Sequence, residues 1–258
     1  MALTLAKGLV GSILLGVAVG SIGFQDMESR PFLLLVLSGL LGIAAGDTFF
    51  FLALRNLGAH AIVVLLTLGQ VFTLFLAVIW LGERPSALEW LGITAIVTGV
   101  TIVLWIRLSE EGGSSTSVGV AWGLAAVICM ATSVIVAKEA LETTNSLQAA
   151  FIRMTAATIG IFLIAQATPQ LVGRLEPLRR AGFAGFFLFS VSVVTFGGFW
   201  LSLLAIEKID VTIANTLGST EPLFVLPFAA FLLKESITMG VILGSIFTVL
   251  GIALLIAR

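Results

Sequence analysis

Two carboxylates stand inside long apolar stretches of this sequence, Asp47 and Glu221. An ionised side chain in hydrocarbon costs about 2.5–3.5 kcal/mol on insertion scales, so such residues mark solute pathways and proton relays by default. Glu221 lies near the middle of its stretch, and Pro222 follows it. Proline lacks a backbone N–H and clashes with the carbonyl four residues back, which predicts a kinked or broken helix at that point. A carboxylate beside freed carbonyls at mid-depth suits proton or cation coupling. The same carboxylate bonded to a neighbouring helix is instead a packing feature. Asp47 falls about two turns from the end of its stretch, near enough to water for either role.

Arg153 lies about two turns into its stretch and is a better functional candidate than Lys138, which is expected to snorkel or pair. Glu83 and Glu235 sit at the ends of apolar stretches, where negative charge favours the first turn of the helix that follows; both read as structural caps. The single histidine, His60, reads as an incidental surface group, and the single cysteine, Cys129, as packing. One cysteine permits no internal disulfide, and the pair permits no Cys/His metal cluster. No nucleophile–base pair or phosphate loop is evident, so the sequence points away from an enzyme and calls for no cofactor or metal.

These residues need a scaffold, and composition says which. Hydrophobic residues make up 59% and charged residues 10% of the chain, with a mean hydropathy of +1.18. A soluble domain carries about 25% charged residues. The apolar runs reach the ~20 residues that cross a ~30 Å hydrocarbon core as helix. They are continuous rather than alternating, which selects helices over a β-barrel. An all-α polytopic bundle of nine transmembrane helices is predicted, over 4–23, 32–54, 60–81, 87–106, 118–138, 147–168, 181–205, 211–233 and 238–257. The breaks carry turn chemistry, as at Gln25–Pro31, Arg55-Asn56-Leu57-Gly58 and Gly82-Glu83-Arg84-Pro85. Residues 109–117 are a polar Ser/Gly/Glu linker. They divide a four-helix half, 1–108, from a five-helix half, 118–258. The net charge of −1 gives no footprint for nucleic acid. Trp80, Trp90, Trp105 and Trp122 fall near span ends, where an aromatic belt belongs. Trp200 sits further inside its span, where its ring can stack on a substrate, although the interface is its commoner place. Ser38, Gly42 and Gly46 recur every four residues and form a small face for close helix approach.

The halves resemble each other. A shift of 152 residues lays 46–104 on 198–256 without a gap: Gly46 meets Gly198, Glu83 meets Glu235, Gly92 meets Gly244 and Gly99 meets Gly251. Thr48 then corresponds to Trp200, and Gln70 to Pro222, so Thr67, Gln70, Ser219 and Glu221 fall at matching depth. Asn215 lies six residues before Glu221 and shares its cavity only if Pro222 distorts the helix. Five helices separate equivalent points, an odd number, so the copies insert in opposite orientations. Inverted repeats of this kind build secondary carriers that rock around a mid-depth site.

Leu81-Gly82-Glu83-Arg84 with Leu91-Gly92 and Gly99 resembles the end of the first repeat of EamA-type proteins of the drug/metabolite transporter superfamily. Ser219-Thr220-Glu221-Pro222, Lys234-Glu235, Gly244 and Gly251 resemble the end of the second. The resemblance covers essentially the whole chain and implies ten helices, five plus five inverted, with a cytoplasmic C-terminus. Only nine spans are predicted here, and the stretch around Lys7 resembles the family's second helix. The chain is therefore a nine-helix variant or starts later than its relatives. Charge leaves orientation open, with Arg30, Arg84, Lys138, Lys208 and Arg258 on one face and Arg55, Arg107, Arg174, Arg179, Arg180 and Lys234 on the other.

The functional expectation is a multi-pass permease of the inner or plasma membrane. It moves a small metabolite or drug-like solute by alternating access, with proton coupling through Glu221. Its partners are that solute and the lipid bilayer, and a homodimer is compatible with the reading. A lipid-carrier flippase shares the architecture. A non-transporting scaffold is the rival from another class, but it has no use for polar groups at mid-span.

Overall fold

The computed structural model describes residues 2–109, 117–166, 181–218, 220 and 239–256. Every described element is helical. In chain order they are α1 (Ala2–Ile22), α2 (Ser29–Gly39), α3 (Gly46–Leu76), α4 (Ala87–Ser109), α5 (Ser117–Leu141), α6 (Ser146–Gln166), α7 (Ala181–Val193), α8 (Leu201–Lys208), α9 (Val211–Gly218) and α10 (Met239–Ile256). Three π-helical segments, Leu40–Ala45, Ala77–Leu81 and Val194–Trp200, continue α2, α3 and α7. Each of the nine expected spans contains described helix. Among the described residues, five stretches are long and apolar enough to cross a bilayer: Thr4–Ile22, Ser29–Leu57, Ser117–Leu141, Ser146–Gln166 and Ala184–Lys208.

Turn chemistry sets several ends. Gly23, at φ 101°, follows α1, and Gly82, at φ 68°, ends the second π segment; only glycine takes this backbone without strain. At the start of α4, Glu89 N donates to Ser86 Oγ (3.2 Å) while Ser86 N donates to Glu89 Oε2 (2.6 Å). This reciprocal capping box corrects the expectation for Glu83, which does not cap the helix that follows it. Instead Glu83 accepts from Val211 N (2.7 Å) and Thr212 N (2.9 Å), the first two N–H groups of α9. A carboxylate on the positive end of a helix is favourable wherever that helix comes from in the chain.

A second correction concerns Arg55–Gly58. The expected loop is helix, and α3 runs unbroken through it. This stretch holds no proline, and Asn56 turns its amide inward along the helix to Leu52 O (2.6 Å). The equivalent stretch of the second half does break: Ile209 is extended, at φ −133° and ψ 168°, between α8 and α9.

The chain forms two compact units, each drawing on both sequence halves. Unit 1 holds Met1–Thr48 and Thr132–Ile209; unit 2 holds Phe49–Ala131 and Asp210–Arg258. In unit 1, α6 is central and packs on α1, α2, α8 and the first and third π segments. Close approach is bought with small residues. A Cβ on Gly39 would collide with the backbone of Arg153, and one on Gly42 with Ser133. Leu5, Ile43, Ala44, Ala157 and Ile161 fill the core, with Phe199 against them.

In unit 2, α4 and α10 form the main contact. A Cβ on Gly99 would lie 2.5 Å from Gly244 O and 2.8 Å from Thr248 N. One on Gly251 would lie 2.7 Å from Gly92 O and 2.8 Å from Ile96 N. Adding 152 turns Gly99 into Gly251, Gly92 into Gly244 and Ile96 into Thr248, so each contact is the image of the other. Rising residue numbers on one helix meet falling numbers on its partner, which makes the pair antiparallel. A local two-fold axis that relates touching antiparallel helices lies across them, and this is the inverted relation the repeat requires.

Candidate functional site

Three polar candidates of unit 1, Asp47, Thr48 and Trp200, lie in or beside segments where its helices lose regularity. A π turn carries an extra residue and commonly marks a functional site. The segment Leu40–Ala45 precedes Asp47, and Val194–Trp200 contains Phe199, which is Asp47 shifted by 152. Thr48 Oγ1 donates back to Ala44 O (2.6 Å) and closes the first segment.

Lys7 of α1 reaches both repeat-equivalent positions. Its Nζ lies 3.4 Å from Asp47 Oδ2 and 5.4 Å from the centroid of the Phe199 ring. The Lys7 and Asp47 side chains retain 26% and 19% of their exposure. Each charge is thus largely withdrawn from solvent yet still reachable. A tight charged hydrogen bond spans about 2.7–2.9 Å, so this pair is looser than its charges allow. It presents an ammonium over an aromatic face and a carboxylate with its Oδ1 outside the contact.

Arg153 forms a second polar centre in the same unit. It is 8% exposed, and its Nη2 donates to Ser133 Oγ (3.0 Å). Ser133 Oγ also donates to Ser38 O (2.8 Å), while Ser38 Oγ donates to Ser133 O (2.7 Å). These reciprocal bonds lock α2 to α5, with Arg153 of α6 laid across the lock. Arg153 Nε has no acceptor among the described residues, and no carboxylate there pairs with this guanidinium. Trp200 is half-buried inside the third π segment and meets Phe196 edge-on at 6.2 Å. Its Nε1 is buried, again without an acceptor among the described residues.

Of the sequence candidates, Asp47, Thr48, Arg153 and Trp200 all lie in unit 1. Asn215 is on α9 in unit 2, and Thr67 and Gln70 are carried by the part of α3 in that unit. Ser219, Glu221, Pro222 and Glu235 lie outside the described residues. Sequence reasoning missed Lys7, Ser38 and Ser133 as site residues. For Lys7 the signal was present: a cation inside one apolar run and an anion inside another invite pairing. Nothing marked Ser38 and Ser133 as partners. Lys138 does pair, but with backbone, donating to Ile206 O (2.7 Å) and Ile209 O (3.1 Å) at the end of α8. Among the described residues no group of three His, Cys, Asp or Glu side chains gathers as a metal site would.

Comparison with known proteins places this geometry. Residues 1–105 and 117–257 match the EamA-like transporter family. An uncharacterized transporter of Clostridium kluyveri is 24% identical over 251 residues, covering 94% of this chain and 79% of that protein. A UDP-galactose transporter homolog 1 of Yarrowia lipolytica is 29% identical over 77 residues, 30% of this chain and 21% of that one. A probable terminal-alkyne amino-acid exporter of Streptantibioticus cattleyicolor is 25% identical over 158 residues. That match spans 61% of this chain and 52% of the exporter. A solved protein crystal structure superposes at a TM-score of 0.77 with 14% identity, over 98% of this chain and 87% of the other, and shares the fold. Family and relatives point to a transporter rather than an enzyme. The apolar helices, the inverted contact of α4 with α10 and the match over both halves show that this chain belongs to the EamA-like transporter family, the multi-pass membrane transporters of small solutes.

Proposed function

We propose that the protein is a cell-membrane permease that moves a small polar metabolite by alternating access, with Lys7 and Asp47 as its recognition pair. The observation that carries this reading is their loose, half-buried contact over Phe199. A solute bearing both an ammonium and a carboxylate replaces that contact with two of its own: its carboxylate on Lys7, its ammonium on Asp47. Exchanging one ion pair for two avoids stranding either protein charge in a low dielectric. The name of the Streptantibioticus relative, a probable amino-acid exporter, favours the same chemistry. The halves 1–108 and 118–258 act as the two repeats. Glu221 supplies proton coupling, so Glu221→Gln removes the pH dependence of transport.

The test is counterflow of radiolabelled neutral amino acids in proteoliposomes. Asp47→Asn and Lys7→Met should each lower the rate by about tenfold or more, a loss typical of one buried charge partner. The exchange Lys7→Asp with Asp47→Lys should recover part of it. Counterflow across an amino-acid panel that is unchanged by all three variants refutes the assignment.

A further inference from the structure

We infer that Lys138 and Glu83 are positioning residues for transport, which hold the two helix ends beside Ile209 so that the chain turns there between its units. The chain leaves unit 1 at Ile209 and enters unit 2 at Asp210. Ile209 is extended between two helices, and its N–H donates to Ala205 O (2.9 Å). Immediately before it, Lys138 Nζ takes the carbonyls of Ile206 and Ile209 at 2.7 and 3.1 Å. Ile206 lies in the last turn of α8 and Ile209 caps it. Carbonyls at a helix end lack partners within the helix, and a cation there also complements the helix dipole. Immediately after it, the Glu83 carboxylate takes the N–H groups of Val211 and Thr212 at 2.7 and 2.9 Å. The opposite helix end receives the opposite charge.

Each clamp comes from the unit it serves: Lys138 and α8 belong to unit 1, Glu83 and α9 to unit 2. With both helix ends fixed, the free torsions are those between Ile209 and Asp210. Hinges are a few residues at element ends that absorb large φ/ψ changes. The other two crossings, Thr48–Phe49 and Ala131–Thr132, lie inside α3 and α5, where consecutive hydrogen bonds resist bending. Neither Lys138 nor Glu83 has a role in the recognition pair, and a lysine of this length is free to snorkel to the lipid interface. Its commitment to two backbone carbonyls is what the hinge explains.

The inference rests on alternating access for its use, but its test needs no solute. In a Cys129→Ser background, Thr143→Cys in unit 1 and Ala87→Cys in unit 2 carry spin labels, and double electron–electron resonance in liposomes reads the distances between them. Lys138→Met and Glu83→Gln should each change the ratio of the distance populations by about fivefold, the weight of one charged helix cap. Lys138→Arg, which keeps both donors, should restore the parent distribution. Melting temperature is followed in parallel. If melting falls while the distances stay as in the parent, the clamps are merely structural and the inference is overturned. If Lys138→Met does not fold, Glu83→Gln alone decides by the same two outcomes. Absence of amino-acid counterflow by the parent protein, with Lys138→Met and Glu83→Gln still shifting the distance populations, would fault the proposed solute and leave the hinge standing.

Discussion

Arg153 is costly to bury and has little to hold. Its guanidinium donates to Ser133 Oγ, and its Nε finds no acceptor among the described residues. Removing one member of such a contact strands the other, whereas replacing both with apolar groups leaves nothing unsatisfied. Ser133→Ala should therefore destabilise the protein by about 1–3 kcal/mol, the penalty for an unsatisfied buried donor. Ser38 loses less, because its bond to the Ser133 carbonyl survives the change. Arg153→Met should be near neutral, and the double variant should recover most of the Ser133→Ala loss. Thermal unfolding of the four proteins in detergent gives this cycle directly; strictly additive losses would deny the coupling. The arginine was legible in the sequence as an ionisable group inside a span, and so was Asp47. Their partners were not. Asp47 pairs across 40 positions and Arg153 across 20, and a single sequence shows which charges exist but not which helix faces meet.

At the scale of the helix, glycines do what charges do at the site. Gly99 and Gly251 let the α4 backbone touch that of α10, and at each the atoms in the way include backbone N and O, which cannot swing aside. Gly99→Ala and Gly251→Ala should each destabilise by about 1–3 kcal/mol, the range for overpacking a close contact. Gly185→Ala on α7, with nothing within 4 Å of its new methyl, should be neutral or slightly stabilising. Melting temperatures in one detergent check all three, and equal effects at Gly99 and Gly185 would contradict the packing. These glycines were legible because the repeat fixed their spacing. The π segments were not, since one extra residue in a turn leaves the apolar pattern nearly unchanged. The continuity of α3 was misread for a related reason: Arg55-Asn56-Leu57-Gly58 has the polarity of a loop, yet Asn56 satisfies its amide on its own helix. Glu83 reads from sequence as a cap of the helix that follows it, but its carboxylate accepts from the first N–H groups of a helix 128 residues away, because local sequence shows only the next helix.

For the molecule as a whole, direction of insertion matters most. Composition and run length were enough for a polytopic helical bundle, because lipid tolerates few alternatives. Opposed orientation was inferred from an odd count of helices, an inference that any miscounted span would reverse. The mirrored contacts of Gly99 with Gly244 and of Gly251 with Gly92 make it independent of the count. If α4 and α10 are antiparallel, their first residues emerge on opposite sides of the bilayer. Ala87 and Met239 open these helices, and both are exposed. In a Cys129→Ser background, Ala87→Cys and Met239→Cys should react with a membrane-impermeant maleimide from opposite sides. One should label in intact cells and the other only in inverted vesicles. The comparison needs neither a known solute nor an assigned cytoplasmic face, since only the difference between the two sites counts. Labelling of both from the same side would place α4 and α10 parallel, and repeats sharing an orientation cannot exchange inward- and outward-facing shapes by symmetry.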